Sequence, residues 1–238
     1  MSWPHRKAAK TISESFPVSR WTRGYIEWKL RMDPVFETAA ATLRSREGKI
    51  IDLGCGLGLL AFWFRYHDLN QDFVGYDQSE WKVRAGLAAA RRLDYTNVEF
   101  HTKNMLEVDL CGAAAVCAFD VLHYLPGREQ RQFLQNLAAA AKSGAVVLFR
   151  TGVRNQGWRS WATLLEEVWT RASGWIRGGS INFPTLEYLE TIFRQEGCVL
   201  HSQPLWGRTP FSSYWCRVES TPIGSPPQEN GQKTQDTA

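Results

Sequence analysis

Asp52-Leu53-Gly54-Cys55-Gly56-Leu57-Gly58 is the segment of this chain best equipped for chemistry. It follows the apolar pair Ile50-Ile51 and opens the apolar stretch Leu57 to Tyr66, so it reads as the turn between a short buried strand and a helix. Glycines let the backbone turn tightly and approach a ligand without a Cβ in the way. The helix start offers N–H groups to a polar or anionic ligand. Dinucleotide-binding turns follow G-x-G-x-x-G/A, with a third small residue five positions after the first glycine. Here that place is Leu59, and the third glycine comes earlier, at Gly58. Asp77 ends the next apolar run and can accept from both hydroxyls of a ribose. Asn104 follows a third run and can accept through its amide oxygen.

A second set of candidates lies further on. Phe119-Asp120-Val121-Leu122-His123-Tyr124-Leu125-Pro126 holds Asp120, His123 and Tyr124, of which His123 titrates near neutral pH and suits a general base. The competing reading makes His123 a packing or capping residue and Asp120 a structural acceptor. Arg150, Arg177 and Arg208 stand beside glycines in three later loops and could grip a carboxylate or phosphate. Ion pairing with Glu166, Glu167 or Glu187 is the alternative. Trp158, Trp161, Trp169 and Trp175 crowd one segment, with Trp161, Leu164, Leu165 and Val168 on one helical face. That stripe suits either a core or the lining of a site for a flat apolar molecule.

The elements that must position these residues alternate strand and helix. Strands are expected at 50–53, 73–76, 97–100, 113–118 and 145–149, and helices at 57–66, 79–92 and 128–141. Ser79 stands at an N-cap and Ser143-Gly144 at a C-cap. Thr185 caps a further helix ending at Gly197, and strands at 198–203 and 211–218 close the domain. Such alternation implies a mostly parallel sheet with right-handed crossovers and helices on both faces. The expected fold is α/β, Rossmann-like, seven-stranded, with an antiparallel last pair. A basic extension, residues 1–46 and helical around 25–42, precedes the domain at 47–218. Residues 151–183 form an acceptor-side insert or lid, and 219–238, rich in Pro, Gly, Ser, Gln and Asn, a disordered tail.

The glycine turn with its leading acid resembles motif I of class I S-adenosylmethionine (SAM)-dependent methyltransferases, an acidic residue followed by G-x-G-x-G. The resemblance covers about residues 49–218. It implies that the backbone at Gly54, Cys55, Gly56 and Gly58 hugs the amino-acid part of SAM, and that Asp52 orients the methionine ammonium. It also implies that Asp77 takes the ribose, with Gln78 beside it. Asn104, where the family often has Asp, would take the adenine amino group, with Met105 and Phe119 in the same pocket. Residues 119–126 are similar to the loop that passes the methyl group, and the segment after the fifth strand is where this family builds its acceptor lid. The implied product is S-adenosylhomocysteine (SAH). At a finer level, Tyr25 to Phe36, D-V-L-H-Y-L-P at 120–126, Arg177-Gly178-Gly179 and W-G-R-T-P-F at 206–211 look like a bacterial subgroup associated with aryl polyene pigment clusters. That resemblance implies an acceptor carried on an acyl carrier protein, or an aromatic hydroxyl or carbon at a polyene's end, with O-methylation one outcome; Arg150, Trp161, Arg177 and Arg208 are the candidate acceptor-side residues.

Composition bounds the alternatives. The 238 residues carry a net charge of +4, too little for a protein that coats polyanions, and 44% are hydrophobic. The basic excess sits in Arg6, Lys7, Lys10, Arg20, Arg23, Lys29 and Arg31. It reads as a solvated face or as attraction to an acidic carrier protein, a phosphate-bearing substrate or a membrane surface. Cys55, Cys111, Cys117, Cys198 and Cys216 match no zinc spacing and suit a reducing, cytoplasmic setting, and no metal is expected. There is no apolar signal core and no run long enough to span a bilayer. No added recognition domain or Pro-Pro-Tyr/Phe-like clamp points to nucleic acid. Methylation of a lipid head group or small amine is a second reading, a non-catalytic SAM binder a third, and an NAD(P)-dependent oxidoreductase, disfavoured by Leu59, a fourth.

Overall fold

Residues that alternate between two apolar faces build the centre of the molecule. In the computed structural model, which describes residues 3–154, 182–205 and 213–221, helices α1 (Trp3–Ser15), α2 (Arg20–Met32) and α3 (Val35–Leu43) come first. Then follow β1 (Ile50–Leu53), α4 (Leu59–Tyr66), β2 (Phe73–Asp77), α5 (Glu80–Arg92), β3 (Val98–Thr102), β4 (Ala115–Phe119), α6 (Gly127–Lys142) and β5 (Val146–Gly152). The last described elements are α7 (Leu186–Gln195), β6 (Cys198–Pro204) and β7 (Ser213–Ser220), and single 3-10 turns occupy Met105–Glu107 and Leu122–Tyr124. The seven strands lie in the order β3-β2-β1-β4-β5-β7-β6. The first five are parallel, while β7 runs antiparallel between β5 and β6. This is the seven-stranded Rossmann-like sheet the sequence predicts.

Each central strand feeds both faces. Ile50, Ala115, Cys117 and Leu148 pack beneath α1 to α5, and Ile51, Val116, Ala118, Val147 and Phe149 beneath α6 and α7. The strand order reverses direction between β1 and β4, which opens a crevice beyond their C-terminal ends.

The extension differs from the single helix expected at 25–42. Asp33 precedes Pro34, and the proline ring disfavours helical backbone before it. Asp33 is extended (φ −92°, ψ 116°), splitting that stretch into α2 and α3. Its Oδ1 accepts from Val35 N (3.0 Å). Most strand and helix ends shift by one to three residues from their expected places. β7 continues to Ser220, because Val199 pairs with Glu219 and Cys198 with Ser220, so the expected tail loses its first residues to the sheet. The rest of that tail, from residue 222, lies outside the described residues, as do 155–181 of the expected lid.

Candidate active site

The glycine turn joins β1 to α4 at the crevice, and its glycines have separate reasons to be glycine. A Cβ on Gly54 would come within 2.2 Å of Val121, and one on Gly58 within 2.2 Å of the Phe100 ring. These two let the turn pack against the loop after β4 and against β3. Gly56 is different: its backbone is left-handed (φ +57°), and a Cβ there would meet nothing within 4 Å. Its open side is the part of the turn that can lie against a ligand. Several N–H groups of the turn are engaged inside the fold. Gly54 and Cys55 donate to Tyr76 O (2.7 and 3.0 Å), Gly58 to Cys55 O (2.9 Å) and Gly56 to Asp77 Oδ2 (2.8 Å). The turn therefore presents the bare Cα face of Gly56, while these amides are engaged within the fold. Cys55 packs against Gly75, where a Cβ would approach its sulfur to 2.8 Å.

Two carboxyls flank this face. Asp77 receives Gly56 N on one oxygen and Ser79 N (2.8 Å) on the other, leaving each a further lone pair for a ribose hydroxyl. Ser79 holds the N-cap position of α5 without a side-chain capping bond. Asp52 is 4% exposed and has no hydrogen-bond partner among the described residues. Burial first, and then the nearby Asp77 carboxylate, hold its carboxyl well above the ordinary carboxylate range. An arriving cation would reverse that cost. Asn104 Oδ1 accepts from Leu106 N (3.1 Å), so the residue caps a 3-10 turn and still has its amide N–H groups and a second lone pair to offer. Met105 and Phe119 are half-buried at the same edge, and Gln78 is exposed.

At the ends of β4 and β5 the structure joins residues the sequence left apart. Arg150 is buried on β5 and its guanidinium is taken up by two carboxylates. Nε donates to Asp120 Oδ1 (2.9 Å) and Nη2 to Asp120 Oδ2, while Nη1 and Nη2 reach Asp33 (2.5 and 2.7 Å). Lys29 Nζ lies 3.3 Å from Asp33 and 3.8 Å from Asp120. Burial works against both carboxylates, but Arg150 and Lys29 outweigh it and hold them below the usual range. Asp120 is thus ionised and saturated with cations, a poor proton acceptor, and its backbone is left-handed (φ 60°) with its N–H on Arg150 O (2.9 Å). Arg150 pairs with Asp33 and Asp120, neither of them among the glutamates weighed from sequence.

His123 is buried (7% exposed) between Tyr124 and Phe183, at ring-centroid distances of 4.2 and 5.3 Å. Burial lowers its pKa to about 4, against the opposing pull of Asp120, so it is neutral at neutral pH and only weakly basic. Its backbone oxygen accepts from Asn182 N (2.9 Å), and Gln130 ties the same turn down by donating to Leu122 O (3.1 Å) and Asn182 O (2.6 Å). Trp161, Arg177 and Arg208 lie outside the described residues. Lys29, Asp33 and Gln130 were missed as site residues. Lys29 and Asp33 are spaced for a helical pair, but nothing local marks their distant partners.

The sheet order, the switch-point crevice and the acid–glycine turn define a Rossmann-like protein of the class I kind, a fold that holds a nucleoside-bearing cofactor at the C-terminal edge of its sheet. More narrowly, the chain belongs to the methyltransferase-domain family, whose pattern matches residues 26–203. A carboxy-S-adenosyl-L-methionine synthase of Nautilia profundicola is 27% identical over 104 residues, 44% of this chain and 44% of that protein. The chain therefore matches less than half the length of that curated relative. Among solved structures, magnesium protoporphyrin IX methyltransferase from Synechocystis PCC 6803 with bound SAH superposes with a TM-score of 0.62 at 18% identity, over 90% of this chain and 94% of that one. Geranyl diphosphate C-methyltransferase from Streptomyces coelicolor A3(2), also with SAH, gives 0.60 at 15% identity, over 78% and 77%. At these identities the likeness is one of fold.

Proposed function

We propose that the chain binds SAM across the ends of β1, β2 and β3 and transfers its methyl group to a small or carrier-bound apolar or aromatic acceptor. The observation that carries this reading is the open face of Gly56 set between a partnerless buried Asp52 and the bidentate acceptor Asp77. When bound, SAM would supply an electrophilic methyl carbon to an acceptor lone pair, its sulfur leaving as the thioether of SAH. Asp52 and Asp77 orient the cofactor through its ammonium and ribose. The turn at residues 119–124, held by Arg150 and Gln130, forms the wall beyond which the acceptor lies. With Asp120 saturated and His123 weakly basic, the chain contributes mainly position, an effect large enough to carry such displacements. The favoured acceptor is then one whose reacting atom is nucleophilic without a strong base, such as an ionised oxygen. The aryl polyene-type acceptors implied by the sequence resemblance include aromatic hydroxyls, which fit once ionised.

A thermal shift separates this from hydride chemistry. SAH at about 100 times its Kd should stabilise the protein by about 2.7 kcal/mol, roughly 5–10 °C in Tm for a chain of this size, and NAD should do nothing. A shift with NAD and none with SAH would sink the proposal. A radiolabelled-methyl screen against phenolic acids, carrier-bound acyl chains and lipid extracts then selects the acceptor.

A further inference from the structure

The outer face of α2 is aromatic. Ile26 and Leu30 form its buried stripe, whereas Trp21, Gly24 and Trp28 form the outer one, with Trp21 68% and Trp28 49% exposed. Trp81, in the first turn of α5, is 44% exposed and borders a groove with Pro17, Val18 and Arg84. Three of the four large hydrophobic side chains exposed among the described residues thus sit on α2 and in the first turn of α5. The same region is basic. The exposed basic side chains here are Arg6, Lys7, Lys10 and Arg20, with Glu14 beside Lys10.

We propose that this face docks on an anionic lipid membrane. Indole rings settle at the boundary between head groups and acyl chains, and basic side chains beside them meet anionic lipid. Trp21 and Trp28 are two turns apart on one side of the helix, about 10 Å along its axis, so both rings can enter one plane together. Arg20 stands exposed beside Trp21 at the start of the same helix. An acidic carrier protein would satisfy the arginines but gives no reason for indoles projecting outward. The bilayer accounts for both. The location supports it further. α2 ends at the Lys29–Asp33–Asp120–Arg150 cluster, and α5 starts just after Asp77, so the docked face rims the crevice at the sheet's C-terminal edge. The proposal does not depend on which reaction the crevice performs.

Flotation of the full chain with vesicles tests it. The protein should float with phosphatidylcholine vesicles containing phosphatidylglycerol and bind pure phosphatidylcholine several-fold more weakly, with the difference shrinking as salt is added. Trp21→Ser/Trp28→Ser should bind at least about tenfold more weakly. Arg20→Gln, at an exposed position, should weaken binding about fivefold, and it carries the test should the double variant fail to fold. A full chain that stays in the soluble fraction with phosphatidylglycerol vesicles overturns the proposal. So does a folded double variant that floats like the parent, or capture by a purified acidic acyl carrier protein with no vesicle binding.

Discussion

At single residues, Gly56 and Gly58 of the turn predict two different mutants. Gly56→Val places its side chain in open space, so the strain of a left-handed β-branched residue, about 1–2 kcal/mol, is its main folding cost. SAH binding, however, should be lost, as calorimetric titration of the folded variant will show. Gly58→Val drives atoms into the Phe100 ring and should instead cost several kcal/mol of stability, seen as a large fall in Tm. Equal SAH affinity in folded Gly56→Val would remove the cofactor from this turn. The pattern D-x-G-x-G-x-G was legible from spacing alone, but this division of labour was not, because Val121 and Phe100 approach only through the fold. His123 makes a separate prediction. Its native pKa of about 4 lies below the unfolded value near 6.5, so the unfolded chain binds the extra proton between those limits. The stability held by neutral His123 is complete above about pH 6.5 and is lost as pH falls toward 4, by about 3 kcal/mol. His123→Gln should flatten the pH dependence of Tm in that window relative to the parent, and an unchanged slope would mean the imidazole is already charged in the fold.

At the level of elements, four charged side chains weld α2 to the ends of β4 and β5. Asp33 closes α2, Asp120 follows β4, and Arg150, with side-chain exposure of only 6%, sits between them. Breaking a buried pair leaves one charge uncompensated, so Asp33→Asn should cost about 3–5 kcal/mol, whereas the same change at an exposed pair such as Arg84–Glu80 should cost under about 1 kcal/mol. Hydrogen exchange locates the damage. Amides of α2 should lose protection before those of β1 and β4, and SAH affinity should change little, because Asp33 contacts Lys29 and Arg150 rather than the glycine turn or Asp77. Uniform loss across the sheet would show that the cluster supports the whole fold rather than the seating of α2. Sequence periodicity revealed the strands and most helices, since each buries a regular stripe. It could not reveal this weld, which joins positions more than a hundred residues apart, and it ran α2 into α3 because the apolar pattern continues past Pro34.

On the scale of the whole molecule, the first helices are part of the core despite their charge. Ala8, Ala9, Ile12, Phe16, Ile26, Leu30, Phe36 and Leu43 are nearly inaccessible, in one cluster with Phe62, Trp63 and Phe64 of α4. Phe16 and Phe62 sit at a ring-centroid distance of 4.9 Å. Arg92 of α5 donates to Ser15 O (3.3 Å), tying the end of α1 to the same layer. Basic composition made residues 1–46 read as an extension, because charge counts what a helix shows to water and not the stripe it buries. A chain starting at Ser45 would uncover α4, six of whose eight residues are buried, and an exposed apolar patch of that kind drives association. The expected outcome is a truncated protein that scatters light as large oligomers, or folds with a strongly lowered Tm, even though every residue of the glycine turn is present. SAH should rescue it only partly, since ligand binding adds a few kcal/mol at most while the lost helices bury many apolar side chains at about 1.5–3 kcal/mol each. A monomeric truncated chain with the parent's Tm would show that α1 to α3 are an appendage, and would leave α2 free to act as a membrane anchor detached from the domain it covers.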